Sequence, residues 1–269
     1  MKTHRVPLVC ALVLAAIFAA GCSENSSGTF QGYVEGENVY VASPLGGALT
    51  NLAVARGDSV TNGQLLFVLE RESEAAAVQQ AEKNLAQAKA NLALSESDLA
   101  RREQLRADNG VISAEELDQA KSRRDSDAAQ VESLNDALTK AKWTFDQKQQ
   151  FAPTNAFVQD TLYRQGEFVA AGNPVVVLLP PENLKVRFFV PETSLAKIKT
   201  GQTVAVNFDG AAKNYSATVN YISTQAEFTP PVLYNRENRA KLIFMVEAKF
   251  SPADAAELRP GQPVDVKIP

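Results

Sequence analysis

Histidine, cysteine, methionine and tryptophan are all scarce in this chain. Its 269 residues hold one histidine, two cysteines, two methionines and one tryptophan. The histidine (His4) and one cysteine (Cys10) fall inside an N-terminal segment that reads as removable. Without histidine, a nucleophile–histidine triad cannot be assembled. A single remaining cysteine, Cys22, has no partner for an intramolecular disulfide and forms no soft metal-ligand set. No paired carboxylates stand out from the surface charge. The sequence therefore predicts no catalytic residue, no cofactor, no metal, and a protein that is not an enzyme. A basic excess is also lacking: 27 Lys and Arg face 31 Asp and Glu, net −4. Losing Lys2 and Arg5 would make it −6 (−4 minus 2). Nucleic-acid affinity comes mainly from Lys and Arg on phosphates, so a nucleic-acid partner is excluded. With 45% hydrophobic and 22% charged residues the chain reads as globular.

A run long enough to span a bilayer, ~20 apolar residues, is missing as well. The longest, Leu8–Ala20, follows Lys2 and Arg5 and has the form of a signal-peptide core. It ends Ala19-Ala20-Gly21-Cys22, which resembles a bacterial lipobox, with Ala19 where leucine is commoner. The resemblance implies cleavage before Cys22 and lipid attachment to its thiol. An ordinary signal peptide cut at Gly21 is the other reading. The Ser-, Asn- and Gly-rich stretch from Ser23 to Thr29 reads as a tether, giving a signal peptide over 1–21 and an anchor with tether over 22–32.

Glycine and proline are absent from Ser73 to Asp108. There Val78, Ala81, Leu85, Ala88, Leu92, Ser95 and Leu99 recur at alternating spacings of three and four, the pattern of a coiled-coil seam. Asp108-Asn109-Gly110 is a helix stop. Ser113-Ala114-Glu115-Glu116 is a capping box that starts a second helix, with a seam through Leu117, Ala120, Arg124, Val131, Leu134, Leu138, Ala141 and Phe145 and an end at Pro153. The short connection makes the arms antiparallel, a hairpin over 72–151 reaching roughly 54 Å at ~1.5 Å per residue. At its tip, Val111 and Ile112 have two readings: an exposed docking point or a staple for the turn.

Two copies of one small β motif flank this segment. Arg56-Gly57-Asp58-Ser59-Val60 and Gln165-Gly166-Glu167-Phe168-Val169 match in register at 109 positions' separation (57 to 166), continuing to Gly63 with Gly172. Leu49, Val54, Leu66 and Val68 match Val158, Tyr163, Val175 and Val177. One small domain, with halves over 33–71 and 152–181, is thus split by the hairpin. After Pro180-Pro181, strand candidates at Leu184–Val190, Thr203–Phe208, Tyr215–Ile222, Leu242–Phe250 and Val264–Ile268 read as a small β-barrel over 182–269. Tyr215, Ala217, Val219 and Tyr221 alternate onto one face, and Gly201-Gln202 is echoed at Gly261-Gln262. The long apolar loop from Phe228 through Pro230, Pro231 and Tyr234 to Arg236 and Arg239 is either a binding loop or a segment folded back on the barrel. The fold class expected is α+β, elongated and multidomain.

The repeated β halves resemble a biotinyl/lipoyl-type sandwich. In carrier proteins of that fold a lysine sits on the turn between the halves. Here the hairpin replaces that turn and presents no lysine, which argues against a carrier. Split halves, inserted hairpin, following barrel and lipoprotein signal, in that order, resemble the periplasmic adaptor, or membrane fusion protein (HlyD-like), family. The segment Ala226–Tyr234 with Arg236 and Arg239 looks like the branch that works with ABC-type exporters. The resemblance implies a ring of six copies in the periplasm, lipid-anchored at the inner membrane. It also implies a role bridging an inner-membrane pump to a TolC-type outer-membrane channel for efflux of small molecules, with Phe228, Pro230, Pro231, Tyr234, Arg236 and Arg239 facing the pump. A type I-like protein-secretion adaptor is the alternative within the class. Channel-docking relatives carry at the tip an Arg, a Leu four residues on and a Ser seven beyond that. Here Arg101 and Leu105 fit, Ser113 falls one residue late, and from Arg102 the Ser fits but the Leu does not. The docking set implied is Arg101, Arg102, Leu105, Val111, Ile112 and Ser113.

Overall fold

The computed structural model describes residues 28–210, 213–228 and 242–268. They form two compact units, one of Gly36–Asn183 and one joining the stretch that ends at Glu35 to Leu184 onward.

The first unit holds the hairpin and the repeated β motif. Its strands are β2 (Val39–Ala42), β3 (Gly47–Leu52), β4 (Ser59–Val60) and β5 (Leu65–Leu69) before the hairpin, and β6 (Gln149–Phe151), β7 (Ala156–Thr161), β8 (Phe168–Val169) and β9 (Pro174–Leu179) after it. They make two four-stranded sheets, in the orders β2-β9-β7-β4 and β6-β5-β3-β8. Each sheet draws two strands from each half, so neither half owns a sheet. The buried residues Leu49, Leu66, Phe67 and Leu69 from one half and Val158, Val169, Val175 and Leu178 from the other belong to one core. The repeat recurs in the backbone. Gly57 and Gly166 have φ of 94° and 93°, Gly63 and Gly172 of 78° and 80°, values that L side chains adopt rarely. The Gly57 N–H donates to the Val158 carbonyl and the Gly166 N–H to the Leu49 carbonyl, both at 2.8 Å, the same bond seen from either half.

The hairpin joins β5 to β6. Helix α1 is Glu72–Asn109 and helix α2 is Ala114–Asp146. The expected seam is met: Leu85, Ala88, Ser95 and Leu99 are buried on α1 and Ala120 on α2. Gly110 closes α1 in the left-handed region at φ 63°. The second arm ends at Asp146, not at Pro153, and β6 follows it. The reason lies in the repeat, since β6 is the counterpart of β2 and pairs with β5.

The second unit is a closed six-stranded barrel, in the order β1-β10-β13-β12-β11-β14. It comprises β1 (Thr29–Gly36), β10 (Leu184–Pro191), β11 (Thr203–Asn207), β12 (Tyr215–Phe228), β13 (Leu242–Phe250) and β14 (Pro263–Lys267). Val34, Val186, Phe188, Val206, Val219, Val246 and Val266 fill it. Two sequence expectations are corrected. The stretch from Thr29, divided between a tether (22–32) and the first sandwich half (33–71), is instead β1, pairing with β14 from Thr29↔Lys267 to Tyr33↔Pro263. Its alternation is hidden by Gly32, which takes a core-facing place. The barrel domain is therefore not confined to 182–269. Tyr221 does not share the face of Ala217 and Val219: a bulge between Val219 and Tyr221 shifts the register, and Tyr221 is exposed. The second echo also recurs, for Gly201 and Gly261 have φ of 88° and 85° and donate to the carbonyls of Val219 and Val34, each at 2.8 Å.

Gly32 has no room for a side chain. A Cβ there would run into the Arg187 carbonyl oxygen and the Phe188 main chain. Gly32→Ala should destabilise the barrel by about 1–3 kcal/mol, the usual cost of overpacking a close contact. Denaturant unfolding checks this, and a change within a few tenths of a kcal/mol would mean that β1 is not seated as described.

Candidate functional site

The hairpin is the part of the molecule built to reach, and its two ends differ. At the tip, Ser113 caps α2: its hydroxyl accepts from the Glu116 N–H at 3.2 Å, and the Glu116 carboxylate accepts from the Ser113 N–H at 3.0 Å. The Ser113 N–H, joined by the Ser113 hydroxyl, which also donates to the Glu116 carboxylate at 3.0 Å, holds that carboxyl below the usual carboxylate range. Val111 is 76% exposed and Leu105 41%, whereas Ile112 is half-buried. Arg101 is exposed, and Arg102 is drawn into an i,i+4 ion pair with Asp98 at 2.8 Å. The six tip residues thus occupy one end of the hairpin, with two apolar side chains left to solvent. Cys22 lies outside the described residues. So do Pro230, Pro231, Tyr234, Arg236 and Arg239, while Phe228 closes the described backbone of β12.

The root end carries contacts that sequence reasoning missed. Lys148, between α2 and β6, is only 4% exposed. Its Nζ donates to the Gly46 carbonyl at 2.7 Å and pairs with Glu74 of α1 at 3.1 Å. A Cβ on Gly47 would stand 3.1 Å from that Nζ, so the glycine makes room for the ammonium. The buried Ser43 hydroxyl donates to the Gln147 carbonyl at 2.8 Å, and Arg71 lies 4.6 Å over the Phe145 ring. Both arms are thereby clasped to the β3 end of the sandwich. One signal was available: Lys148 follows Leu138, Ala141 and Phe145 in seam phase, where a lysine calls for a partner.

The barrel carries a second buried charge cluster. Glu247 accepts from Lys185 at 2.9 Å and pairs with Arg187 at 2.8 Å, and Arg187 also meets Glu35 at 2.7 Å. Burial raises the pKa of the Glu247 carboxyl, but the bonds from Lys185 and Arg187 outweigh it and leave it lowered. Two acids and two bases balance. Among the described residues no group of three or more His, Cys, Asp or Glu is placed to hold a metal, and no helix is long and apolar enough to cross a membrane.

This arrangement has known counterparts. Residues 77–150 match the family model described as the RND MFP (membrane fusion protein) alpha-helical hairpin domain. The chain is 28% identical to the UPF0194 membrane protein YbhG of Salmonella typhi, over 97% of each chain. It is 26% identical to a UPF0194 membrane protein of Enterobacter sp. (strain 638), again over 97% of each. Among solved structures, the membrane fusion protein Spr0693 of Streptococcus pneumoniae R6 aligns with a TM-score of 0.65 at 20% identity, over 90% of this chain and 99% of that one. MacA of Actinobacillus actinomycetemcomitans aligns with 0.59 at 17%, over 91% and 81%.

The clasp predicts a pH dependence. Burial works against the Glu74 carboxylate, yet the Lys148 hydrogen bond and neighbouring bonds leave its pKa lowered. A depressed folded pKa contributes stability that is present above the ordinary glutamate value, ~4.3, and lost as pH falls through the folded value. Lys148→Met should cost about 3 kcal/mol at neutral pH, since it strands a largely buried carboxylate, and should flatten the acid limb of the stability curve. Unfolding measured between neutral pH and the acid limit checks both; an unchanged acid limb would remove Glu74 from the account.

Proposed function

We propose that this chain, an adaptor of the membrane fusion protein family, bridges an inner-membrane pump to an outer-membrane channel as a lipid-anchored periplasmic subunit of an efflux system. The family is one of non-enzymatic adaptors that work between such transporters and channels. The observation that carries the reading is the hairpin: arms of 38 and 33 residues, roughly 50–57 Å long, rooted in a sandwich and ending in exposed apolar residues. In this reading the sandwich is of the lipoyl type, the copies form a ring, usually of six, and the channel is of the TolC type.

The barrel supports the placement of the membrane. Its strands run antiparallel, so Thr29 at the start of β1 lies at the pole toward which β12 runs to Phe228 and from which β13 sets out at Leu242. Seven residues from Cys22 to Thr29 span at most ~25 Å. A lipid on Cys22 therefore holds the pole with the β12–β13 arm at the bilayer surface, where a pump is met. The segment Ala226–Tyr234 with Arg236 and Arg239 favours an ABC-type pump. The RND label of the hairpin model favours a pump of that class. Crosslinking from the β12–β13 arm, followed by identification of the captured inner-membrane protein, decides between them.

Three outcomes are expected. Metabolic fatty-acid labelling should mark the wild type and miss Cys22→Ala; label retained on that variant contradicts the anchor. Leu105→Asp or Ile112→Asp should abolish crosslinking to the channel. Ser113→Ala, which loses a cap worth ~1 kcal/mol, should leave the crosslink nearly intact; tip substitutions that are all silent would remove the docking role. Deleting the heptad Leu85–Asn91 together with the heptad facing it keeps the seam in register and shortens the reach by ~10 Å. Efflux should fall while the thermal transition persists, whereas unchanged efflux would mean a slack tether.

A further inference from the structure

The barrel carries a polar pocket that its core does not use. The pocket has a volume of about 330 Å³, and Gln31, Asn207, Asp209 and Asp265 supply the polar side chains of its lining. Strand register explains why they meet. Gln31 on β1 stands opposite Asp265 on β14, and Asn207 on β11 stands opposite the same Asp265. Val206, Val264 and Val266 alternate with them into the barrel core, so the three polar side chains form one row across three neighbouring strands on the outer face. Asp209 follows Asn207 by two residues, just past the end of β11. Side chains directly opposite on neighbouring strands have Cβ atoms about 4.5–5.5 Å apart.

The row is rich in acceptors and short of donors. Asp209 and Asp265 are exposed, and neither has an ion-pair or hydrogen-bond partner among the described residues. Two such carboxylates alone would be ordinary solvated charge. Asn207 is what calls for a ligand: its Oδ1 is buried and accepts no hydrogen bond, a state that folded proteins rarely tolerate. No lysine or arginine lines the pocket, and Lys267, two residues from Asp265 on the same strand face, is outside the lining. The fitting occupant is a small cation that bonds several oxygens at once and carries two charges. Calcium takes 6–8 oxygen ligands at about 2.3–2.6 Å in flexible geometry, so its ligand oxygens stand up to about 5 Å apart, the spacing of the row. Magnesium demands a tighter octahedron at about 2.0–2.1 Å. Soft metals lack a nitrogen or sulfur donor here.

We propose that this pocket binds one calcium ion through the carboxylates of Asp209 and Asp265, Asn207 Oδ1 and Gln31 Oε1, with water on its open side. The two carboxylates balance the charge of the ion. The ion ties β1 to β14 and β11, and so fastens the N-terminal strand of the barrel. With only two carboxylates and an open side, the site belongs with the weak extracellular class, Kd about 10⁻⁴–10⁻³ M. Bound to the folded barrel alone, the ion stabilises it by mass action. Half the ligands are amides and all four come from distant points of the sequence, so no local motif announces the site. It stands independently of the adaptor reading.

Calcium titration of the full-length lipidated protein, stripped with EGTA and held in neutral detergent, tests the site. Calorimetry should show one ion per chain, and the thermal transition should rise saturably over the same concentrations. Asp209→Asn with Asp265→Asn should weaken binding at least about tenfold, and Gln31→Ala, at an exposed position, about threefold. Asn207→Asp keeps the shape, adds a ligand charge and should tighten binding at least about threefold. Glu96→Gln with Glu103→Gln, which removes two carboxylates from the hairpin, should leave binding unchanged. If the double aspartate variant fails to fold, Gln31→Ala and Asn207→Asp decide the matter. Several results overturn the site: no saturable response up to about 10 mM calcium, an equal response to magnesium at matched ionic strength, or pocket variants that bind like the wild type. Spermidine binding more tightly than calcium would assign the pocket to an organic ammonium and overturn the metal.

Discussion

The exchange of strands between the two β halves is the constraint on which the rest of the long unit depends. In each sheet, strands from before the hairpin are hydrogen-bonded to strands from after it, and the core side chains of both halves share one interior. A half folded alone would leave its strand edges unpaired and its apolar face in water. Closure of the sandwich therefore places the end of β5 beside the start of β6, paired from Leu65↔Phe151 to Val68↔Gln149. Two antiparallel strands leaving a sheet side by side must release two helices side by side. The hairpin's antiparallel course is set at its root before its own seam contributes anything.

The seam then supplies length without bulk. Alanine and serine at Ala81, Ala88, Ser95 and Ala120 let the arms approach closely, while Leu85 and Leu99 bury apolar surface between them. Toward the tip the packing thins: Leu105 is partly exposed and Val111 mostly so. Rigidity at one end and exposed apolar surface at the other are what a strut with a docking end needs. The Lys148 clasp belongs to the rigid end. Its ammonium satisfies a carbonyl of the sandwich and a carboxylate of α1 from a position at the foot of α2, so three segments distant in sequence are fixed by one charge.

Much of this was legible in the sequence, for reasons that differ by element. The hairpin was read because heptad spacing and a capping box are local signals that tertiary contacts do not override. The repeat was read because Gly57, Gly63, Gly166 and Gly172 mark backbone turns that few other residues can make. Strand β1 was missed because Gly32 interrupts its apolar alternation, and glycine is there for a close approach to β10 that only the folded barrel reveals. The end of the second arm was misplaced at Pro153 because the heptad pattern fades gradually, although the repeat spacing applied to β2 would have marked β6. The ion pairs of Lys148 and of Glu247 were invisible for a general reason: the members of each come from different elements, and a lysine or glutamate in sequence looks the same whether solvated or buried.

The central claim is that the hairpin is a stiff strut fixed at its root. The most direct test is the distance distribution between spin labels placed at Thr50 in the sandwich and Ala107 near the tip, both exposed, measured by double electron–electron resonance in the protein with Cys22 replaced by serine. A stiff strut gives one narrow distribution, which broadens when Lys148 is replaced by methionine. A broad or multi-peaked distribution in the otherwise native chain would show an arm that swings, and would contradict the account.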